Sequence, residues 1–366
     1  MKPVTKGFVR FASGFGRFLG SSGKENPRID RRAWGLAVRS LLLSLIYLEG
    51  GVTLFSRRKA KGGVAGLALH EDSLRYLELE RSGSGLRVVR QEFIPVSSGG
   101  VVKESLQKVG TVEKAFDDLK SQLGKFAFPV VLGVPSRDVT LRLVEYPKMP
   151  LGDVRDALAL EFDKYFPYAW AESASDIAEV DVPARDAAAK STVLVATCRL
   201  SYMRDLLKAS ERVGIPLGAV EPMNVAFFRA SMGPRPREDA YFIVGVEPEV
   251  THIVLGYRDN GILFRSTLID LTNPARRNSE EDLVPILKDV QNTMIFAGNQ
   301  YRGIEIRNLV LGGSIGENPR LKSLLEAGAS VNVTFSDVWT TWGVPSPLGN
   351  VPGYDAAFGL ALRNLL

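Results

Sequence analysis

The order of predicted elements constrains the fold most, because one series of elements occurs twice along the chain. In each copy, three apolar strands form a meander and are followed by a helix and a further apolar strand. A meander joined to a helix and a strand in this way predicts an α/β unit. Its recurrence indicates an internal duplication, too diverged to be visible as residue identity, and therefore a two-lobed α/β protein.

The first copy follows a basic cluster and turns at Ser82-Gly83-Ser84-Gly85, a run of turn-forming residues. Its predicted strands lie at 64–69, 74–80, 86–96 and 130–134, and its predicted helix lies at 102–123. The second copy begins near Asp239. Its predicted elements are strands at 240–246, 251–258, 262–268 and 308–311, an Asn260-Gly261 hairpin turn, a helix capped by Ser279 and a short helix from Pro319 to Gly328.

The segment between the two copies has the pattern of a compact β-α-β-β-α unit, inserted into the first lobe. It places one helix between Pro150 and Pro167 and starts another at Ser201. We therefore predict five divisions of the chain: a basic leader at 1–61, a first lobe at 62–137, an inserted α+β subdomain at 138–221, a return to the first lobe with a hinge at 222–238, and a second lobe at 239–366.

Charge is distributed unevenly along the chain, whose formal net charge is +5. The first 61 residues hold 13 Lys and Arg against 3 Asp and Glu, which leaves 33 against 38 in the remainder. A protein that reads nucleic acid normally carries its positive charge on the folded unit. The mildly acidic body therefore argues against a nucleic-acid partner.

The leader has three interpretations, which the sequence leaves open. In the first, translation starts at Val52, so that residues 1–51 are absent from the mature protein. In the second, the leader is a disordered tail. The third is a basic amphipathic helix on an anionic membrane surface, with an apolar stripe formed by Phe8, Phe11, Phe15 and Phe18. The apolar run at 41–48 is far shorter than the ~20 residues that span a bilayer.

Cysteine and histidine are scarce, which excludes several kinds of site. The single cysteine, Cys198, excludes an internal disulfide framework and a cysteine-based zinc site, and we expect it to be a small buried thiol. His70 and His252 are the only histidines, so a histidine-rich metal centre is excluded. They lie near corresponding turns of the two copies, where both can face a cleft between the lobes. A metal pair there is one interpretation, and solvated turn histidines are the interpretation that we expect.

The inserted unit also carries a recognisable signature. Pro147-Lys148-Met149-Pro150 precedes its first helix, and Glu161-Phe162-Asp163-Lys164-Tyr165-Phe166-Pro167 ends that helix. This combination resembles the signature of the PilM family of actin-like type IV pilus assembly proteins, and Tyr354 to Arg363 is similar to that family's closing helix. The resemblance implies an actin-like (ribonuclease H-like) two-lobed α/β fold with an inserted small α+β subdomain. It also implies a cytoplasmic scaffold, peripheral at the inner membrane, of a type IV pilus or a related secretion or competence machine.

The resemblance further implies a site for ATP and Mg²⁺, and the sequence departs from the family's phosphate loops. Ala68 and Gly245 stand where the family has its two acidic residues. Carboxylates stand near both phosphate positions, where they repel phosphate, and Pro248 removes a hydrogen-bond donor at the second. The candidate nucleotide residues are Gly312, Gly313 and Ser314 on the adenosine side and Glu71, Asp72 and Glu247 in the degenerate phosphate loops. Two interpretations remain: hydrolysis has been lost, or Glu71, Asp72, Glu247 and Glu249 hold Mg²⁺ in a rearranged site.

The partner that the resemblance implies is the cytoplasmic N-terminal tail of a PilN-like inner-membrane protein, held in a groove between the first lobe and the inserted subdomain. Further contacts with the components of the pilus assembly motor are expected. The candidate contact residues are Tyr165, Phe166 and Tyr168, if they are exposed.

Two alternative functions remain at this stage. One is the L-type cytoplasmic scaffold of type II secretion, which we expect to require a transmembrane segment after the body. The other is an active actin-like or sugar-kinase-like ATPase. That function requires acidic residues at the positions that Ala68 and Gly245 occupy. We therefore expect a scaffold that does not hydrolyse ATP.

Overall fold

The computed structural model describes residues 62–70, 72–83, 85–96, 109–183, 190–233, 240–301, 303–346, 352–363 and 365. The predictions for the leader, for the first turns of the 102–123 helix and for Glu71 lie outside these residues.

The strands in the described residues are β1 (Gly63–Leu69), β2 (Ser73–Ser82), β3 (Gly85–Pro95), β4 (Val130–Val134), β5 (Thr140–Pro147), β6 (Ser173–Glu179), β7 (Lys190–Arg199), β8 (Leu217–Pro222), β9 (Ala240–Val246), β10 (Val250–Tyr257), β11 (Asn260–Leu268), β12 (Ile306–Gly312) and β13 (Asn332–Phe335). The α-helices there are α1 (Val109–Leu123), α2 (Leu151–Glu161), α3 (Leu200–Val213), α4 (Met223–Met232), α5 (Glu280–Gln300), α6 (Pro319–Ala329), α7 (Val338–Trp342) and α8 (Asp355–Leu362).

The first lobe is built on a sheet with the strand order β3-β2-β1-β4-β8. The meander β1 to β3 is antiparallel, whereas β4 runs parallel to β1, and β8 parallel to β4. Every residue of β1 and β4 is buried. Both strands are continuously apolar because the centre of a mixed sheet is covered on both faces.

The second lobe repeats this arrangement with the strand order β11-β10-β9-β12-β13. Its meander is antiparallel, and β12 and β13 run parallel to β9. Helix α5 covers the sheet with Leu283, Ile286 and Val290, which are buried as the sequence pattern predicts. The predicted series of strands and helix therefore occurs in both lobes.

The hairpin between β10 and β11 turns two residues earlier than predicted. Tyr257 pairs with Asn260, so the turn consists of Arg258 and Asp259, and Arg258 has a φ of 52°. Gly261 lies within β11, where a Cβ atom would be 2.4 Å from the Phe264 ring. This glycine makes room for a neighbouring side chain instead of forming the turn.

The inserted subdomain is smaller than predicted. Its sheet has the order β5-β7-β6 and is antiparallel, and α2 packs on one of its faces. The prediction extended the insertion to Glu221, but β8 pairs with β4 in the first-lobe sheet and α3 packs against α1. The short β8, Leu217-Gly218-Ala219-Val220-Glu221-Pro222, lacks the alternation by which the strand could be recognised.

Two helices cross where the lobes join. Helix α8 packs on β1 and against α4, and the crossing is close because Gly359 has no side chain. A Cβ atom on Gly359 would lie 1.8 Å from the carbonyl oxygen of Ala226. Trp339 packs edge to face on Phe358 of α8, at 5.3 Å between ring centroids, and the Trp342 indole donates to the Ala230 carbonyl at 2.8 Å. Both tryptophans therefore pack around the two crossing helices.

Within the described part of the chain, no helix has the length and apolar character that a bilayer crossing requires.

Candidate functional site

The turns that open the two meanders come together between the lobes. The β1–β2 turn supplies His70 and Asp72, and the β9–β10 turn supplies Glu247. The Nδ1 atom of His70 lies 3.6 Å from an Oε atom of Glu247, and both side chains are buried. The duplication thus places equivalent turns of the two lobes face to face.

Glu247 is held on its own lobe by Ser314. The backbone N–H of Ser314 donates to one carboxylate oxygen of Glu247 at 3.2 Å, and the Ser314 hydroxyl donates to the other. Ser314 follows Gly312-Gly313 at the end of β12, and Gly313 has a φ of +88°. A Cβ atom on Gly313 would lie 2.6 Å from the Val246 carbonyl oxygen, so the close approach of the two segments requires glycine here.

Arg75 joins this carboxylate to the first lobe. Its guanidinium lies 3.7 Å from the Glu247 carboxylate and 3.8 Å from that of Asp72, and it donates to the carbonyl oxygen of Gly353. The Arg75 side chain is only 4% exposed, so these groups replace water around its charge. Sequence reasoning missed Arg75. The available signal was a lone basic residue between Leu74 and Tyr76, immediately after the turn.

The two histidines are buried and neutral, so the expectation of solvated turn histidines is wrong. Burial lowers the pKa of His70 well below its ordinary value, and Arg75 and His252 lower it further. The 3.6 Å contact with Glu247 is therefore not an ion pair at neutral pH. Burial lowers the pKa of His252 to about 4, and its Nδ1 lies 3.1 Å from the Ser266 hydroxyl. Both rings lie close enough to interact electrostatically, near the facing turns.

The positions that lack the two acidic residues are closely packed. Ala68 is fully buried. A Cβ atom on Gly245 would lie 2.9 Å from the ring of Phe227 on α4. An aromatic ring therefore takes the space that an acidic side chain at 245 would need.

A small pocket lies beside Gly312 and Gly313 and is also lined by Gly353, whose carbonyl oxygen accepts from Arg75. Trp339, Tyr354 and Asp355 also line it. Asp355 is buried, which raises its pKa, and it accepts a hydrogen bond from the Ser336 hydroxyl at 2.7 Å. The pocket wall thus combines the aromatic rings of Trp339 and Tyr354 with the carboxyl group of Asp355, which already accepts a hydrogen bond.

Comparison with solved structures identifies the fold. A chain of the PilM–PilN type IV pilus biogenesis complex superposes with a TM-score of 0.69 at 19% sequence identity, over 83% of this chain and 98% of that one. The chain has an actin-like fold. The resemblance to PilM that the sequence predicts is therefore confirmed at the level of the fold, including two lobes and an inserted subdomain.

Other solved structures match less closely. A Bacteroides thetaiotaomicron protein with an actin-like ATPase fold and unknown function gives a TM-score of 0.48 at 13% identity, over 82% of this chain and 96% of that one. The cytoplasmic domain of EpsL, an inner-membrane component of the Vibrio cholerae type II secretion system, gives 0.40 at 13% identity, over 68% and 81%. No protein-family model and no curated protein sequence matches the chain.

ATP and Mg²⁺, which the actin-like fold implies, do not fit the contacts between the lobes. A phosphate group between the facing turns would meet the buried carboxylate of Glu247, which accepts hydrogen bonds from the backbone N–H and the hydroxyl of Ser314. The carboxylate of Asp72 lies beside Arg75. In the described ranges, no three His, Cys, Asp or Glu side chains are grouped to hold a metal ion, and Glu71 is outside those ranges.

The candidate partner-binding aromatics cluster in the inserted subdomain. Phe166 is 3% exposed and packs on Phe162 at 4.5 Å between ring centroids, so it belongs to the subdomain core and offers no surface to a partner. Tyr165 and Tyr168 are half-buried. Arg142 lies over Tyr165, and the Tyr168 hydroxyl lies 3.2 Å from that of Thr197. A role for these two tyrosines in partner binding stays a prediction.

Sequence reasoning also missed buried polar side chains where the chain passes between the first lobe and the inserted subdomain. The segment between β4 and β5 contributes Ser136 and Asp138, and the start of α3 contributes Tyr202. The hydroxyls of Ser136 and Tyr202 are buried without a hydrogen-bond partner in the structure. Burial raises the pKa of Tyr202, as do Asp138 and Cys198. Cys198 is a buried thiol, as predicted, and burial raises its pKa to about 12.

Proposed function

We propose that this protein is a scaffold of a type IV pilus or related secretion machine that binds the cytoplasmic tail of a PilN-like inner-membrane protein. It is peripheral at the inner membrane through that partner, it contacts the assembly motor, and it does not hydrolyse ATP.

The likeness to the PilM–PilN complex carries this proposal. The chain covers 98% of the matched chain with a TM-score of 0.69. That coverage supports the whole two-lobed arrangement as the unit that acts, and the complex gives the kind of partner that such a unit holds.

The cleft supports a scaffold over an ATPase. The hydrolysis of a triphosphate requires groups that stabilise the negative charge developing on phosphate. Between these lobes the acidic side chain of Glu247 faces inward, and Phe227 occupies the space beside Gly245. These contacts favour a non-hydrolysing protein.

The junction of the first lobe and inserted subdomain is the site that we propose for the tail. Buried hydroxyls without a partner are rare, because each costs about 1–3 kcal/mol. Both hydroxyls are closed to solvent, so the proposal requires the junction to open when the tail binds. The N–H and C=O groups of an extended peptide then satisfy Ser136 and Tyr202.

Titration with a synthetic peptide tests the function directly. The peptide is the cytoplasmic N-terminal tail of a PilN-like single-span inner-membrane protein from the same organism, and calorimetry with the full chain measures its Kd. We expect saturable one-to-one binding, with no ATP turnover in a parallel assay. Robust ATP turnover together with no peptide binding contradicts the proposal and favours the actin-like ATPase alternative.

A pair of variants locates the tail. Tyr202→Phe removes the buried hydroxyl and is expected to weaken peptide binding about fivefold, which corresponds to about one hydrogen bond. Tyr257→Phe removes a hydroxyl from β10 in the second lobe and is expected to leave the Kd unchanged. If the two variants change the Kd of the peptide equally, the tail does not bind at Tyr202. A tail taken from a type II secretion membrane protein, titrated in the same way, distinguishes the L-type scaffold.

A further inference from the structure

We propose that the Glu247 carboxylate is a built-in anion that fills a binding site between the lobes and holds the lobes together without a ligand. This inference goes beyond the scaffold function, because it concerns the cleft alone and involves no partner.

Polar groups from both lobes surround this one carboxylate, and Ser314 of the second lobe donates its hydrogen bonds. The second lobe supplies the backbone N–H of Ser314 at 3.2 Å and the Ser314 hydroxyl. The first lobe supplies the guanidinium of Arg75 at 3.7 Å, and His70 lies at 3.6 Å. A backbone N–H, a hydroxyl and a guanidinium around one buried negative charge are the groups that bind a free oxyanion such as inorganic phosphate.

The contact between Arg75 and Glu247 holds the lobes together, because the two residues belong to different lobes. Arg75 lies on β2, whereas Glu247 follows β9, and their side chains are 4% and 6% exposed. Arg75 is also fixed by the carbonyl oxygen of Gly353, just before α8. Opening the cleft would separate Arg75 from the Glu247 carboxylate and leave buried charges poorly matched.

The built-in anion has a consequence for ligands. A free oxyanion can occupy the site only where the Glu247 carboxylate is absent, since two anions cannot share one set of donors in a buried place. Removal of this carboxylate should therefore create a phosphate site and weaken the closed arrangement.

The test compares Glu247→Ala with Glu249→Ala, which removes the same charge from the same turn. Thermal unfolding of the full chain is measured with and without inorganic phosphate at tens of millimolar, with an equal ionic strength of chloride as the salt control. We expect Glu247→Ala to unfold at a lower temperature than Glu249→Ala and to gain about 2 °C or more from phosphate. The wild type and Glu249→Ala should gain nothing. Addition of Arg75→Gln to Glu247→Ala should abolish the gain.

Two results overturn the proposal. One is an equal phosphate response in the wild type and Glu247→Ala. The other is a Glu247→Ala protein that matches Glu249→Ala in unfolding temperature and shows no phosphate response.

Hydrogen exchange supplies a measurement that depends on no variant. The Ser314 amide of the wild-type protein should be protected without added ligand, and neither phosphate nor Mg-ATP should change its exchange rate. An amide that exchanges freely and becomes protected on addition of phosphate or Mg-ATP also overturns the proposal. If Glu247→Ala does not fold, Glu247→Gln against Glu249→Gln repeats the unfolding comparison with the side-chain shape kept. Neither assay contains the peptide, so a failure here is distinct from a failure of tail binding.

Discussion

Glu221 at the end of β8 and Arg229 on α4 form an ion pair inside the protein, with side chains 0% and 6% exposed. A guanidinium nitrogen of Arg229 donates to the Glu221 carboxylate at 3.1 Å, and the same nitrogen donates to the Gly359 carbonyl oxygen of α8 at 2.8 Å. Arg363, just beyond α8, lies 3.9 Å from the same carboxylate. The pair therefore ties the first-lobe sheet to both crossing helices.

Arg229→Met should destabilise the protein by about 3–5 kcal/mol, because it leaves the buried Glu221 carboxylate with a poorer partner. Arg87→Met is the matched control. Arg87 is paired with Glu80 but is 62% exposed, and its loss should cost less than about 1 kcal/mol. Urea unfolding followed by circular dichroism measures both free energies. Equal losses would mean that burial does not set the strength of the pair.

Gly359→Ala should destabilise the protein by about 3 kcal/mol or more, because the new methyl group would lie 1.8 Å from the Ala226 carbonyl oxygen and force α4 and α8 apart. Gly298→Ala in α5 makes the same change with nothing within 4 Å, and it should stabilise by about 0.5–1 kcal/mol through helix propensity. Thermal unfolding of both variants checks the opposite signs. A stabilising Gly359→Ala would contradict the close crossing of α4 and α8.

Asp176 on β6 should make the protein less stable as the pH rises from about 4 to 6. Burial raises the pKa of its carboxyl to about 6, although Arg155 opposes this rise. The folded state therefore binds a proton that the unfolded state has already lost, so its contribution is present below pH 4 and is lost as the pH passes 6. Compared with Asp176→Asn, the wild type should lose roughly 1–3 kcal/mol across this window. Urea unfolding at pH 4, 5 and 6.5 measures the difference, and a constant difference between the two proteins would refute the assignment.

Gly245→Asp should not restore nucleotide binding and should destabilise the protein by about 2–4 kcal/mol. Its Cβ atom would lie 2.9 Å from the Phe227 ring, and its carboxylate would be buried. Gly245→Ala separates the clash with Phe227 from the burial of a charge, because alanine adds the Cβ atom without a carboxylate. Urea unfolding gives the stability, and calorimetry with Mg-ATP gives the binding. Tight binding of Mg-ATP to Gly245→Asp would show that a single acidic residue is what the cleft lacks.

The sequence was sufficient for the features that local patterning encodes. Continuous burial of β1 and β9 appears as unbroken apolar runs, and the face of α5 appears as a 3.6-residue period. The strand series and its duplication could therefore be predicted, and the signature around Pro150 and Tyr165 indicated the actin-like fold. Strand β8 could not be predicted as part of the first lobe, because its partner β4 lies more than 80 residues earlier in the chain.

The chemistry between the lobes depended on tertiary structure. The sequence by itself determined that Ala68 and Gly245 lack carboxylates and that Glu247 adds one, since residue identity is local information. Only the fold decided that Glu247 meets Arg75 and Ser314, that Phe227 covers Gly245, and that Phe166 is buried. These contacts join residues that are distant in the sequence. Their strength depends on burial, which the packing of both lobes sets and which the local sequence pattern does not reveal.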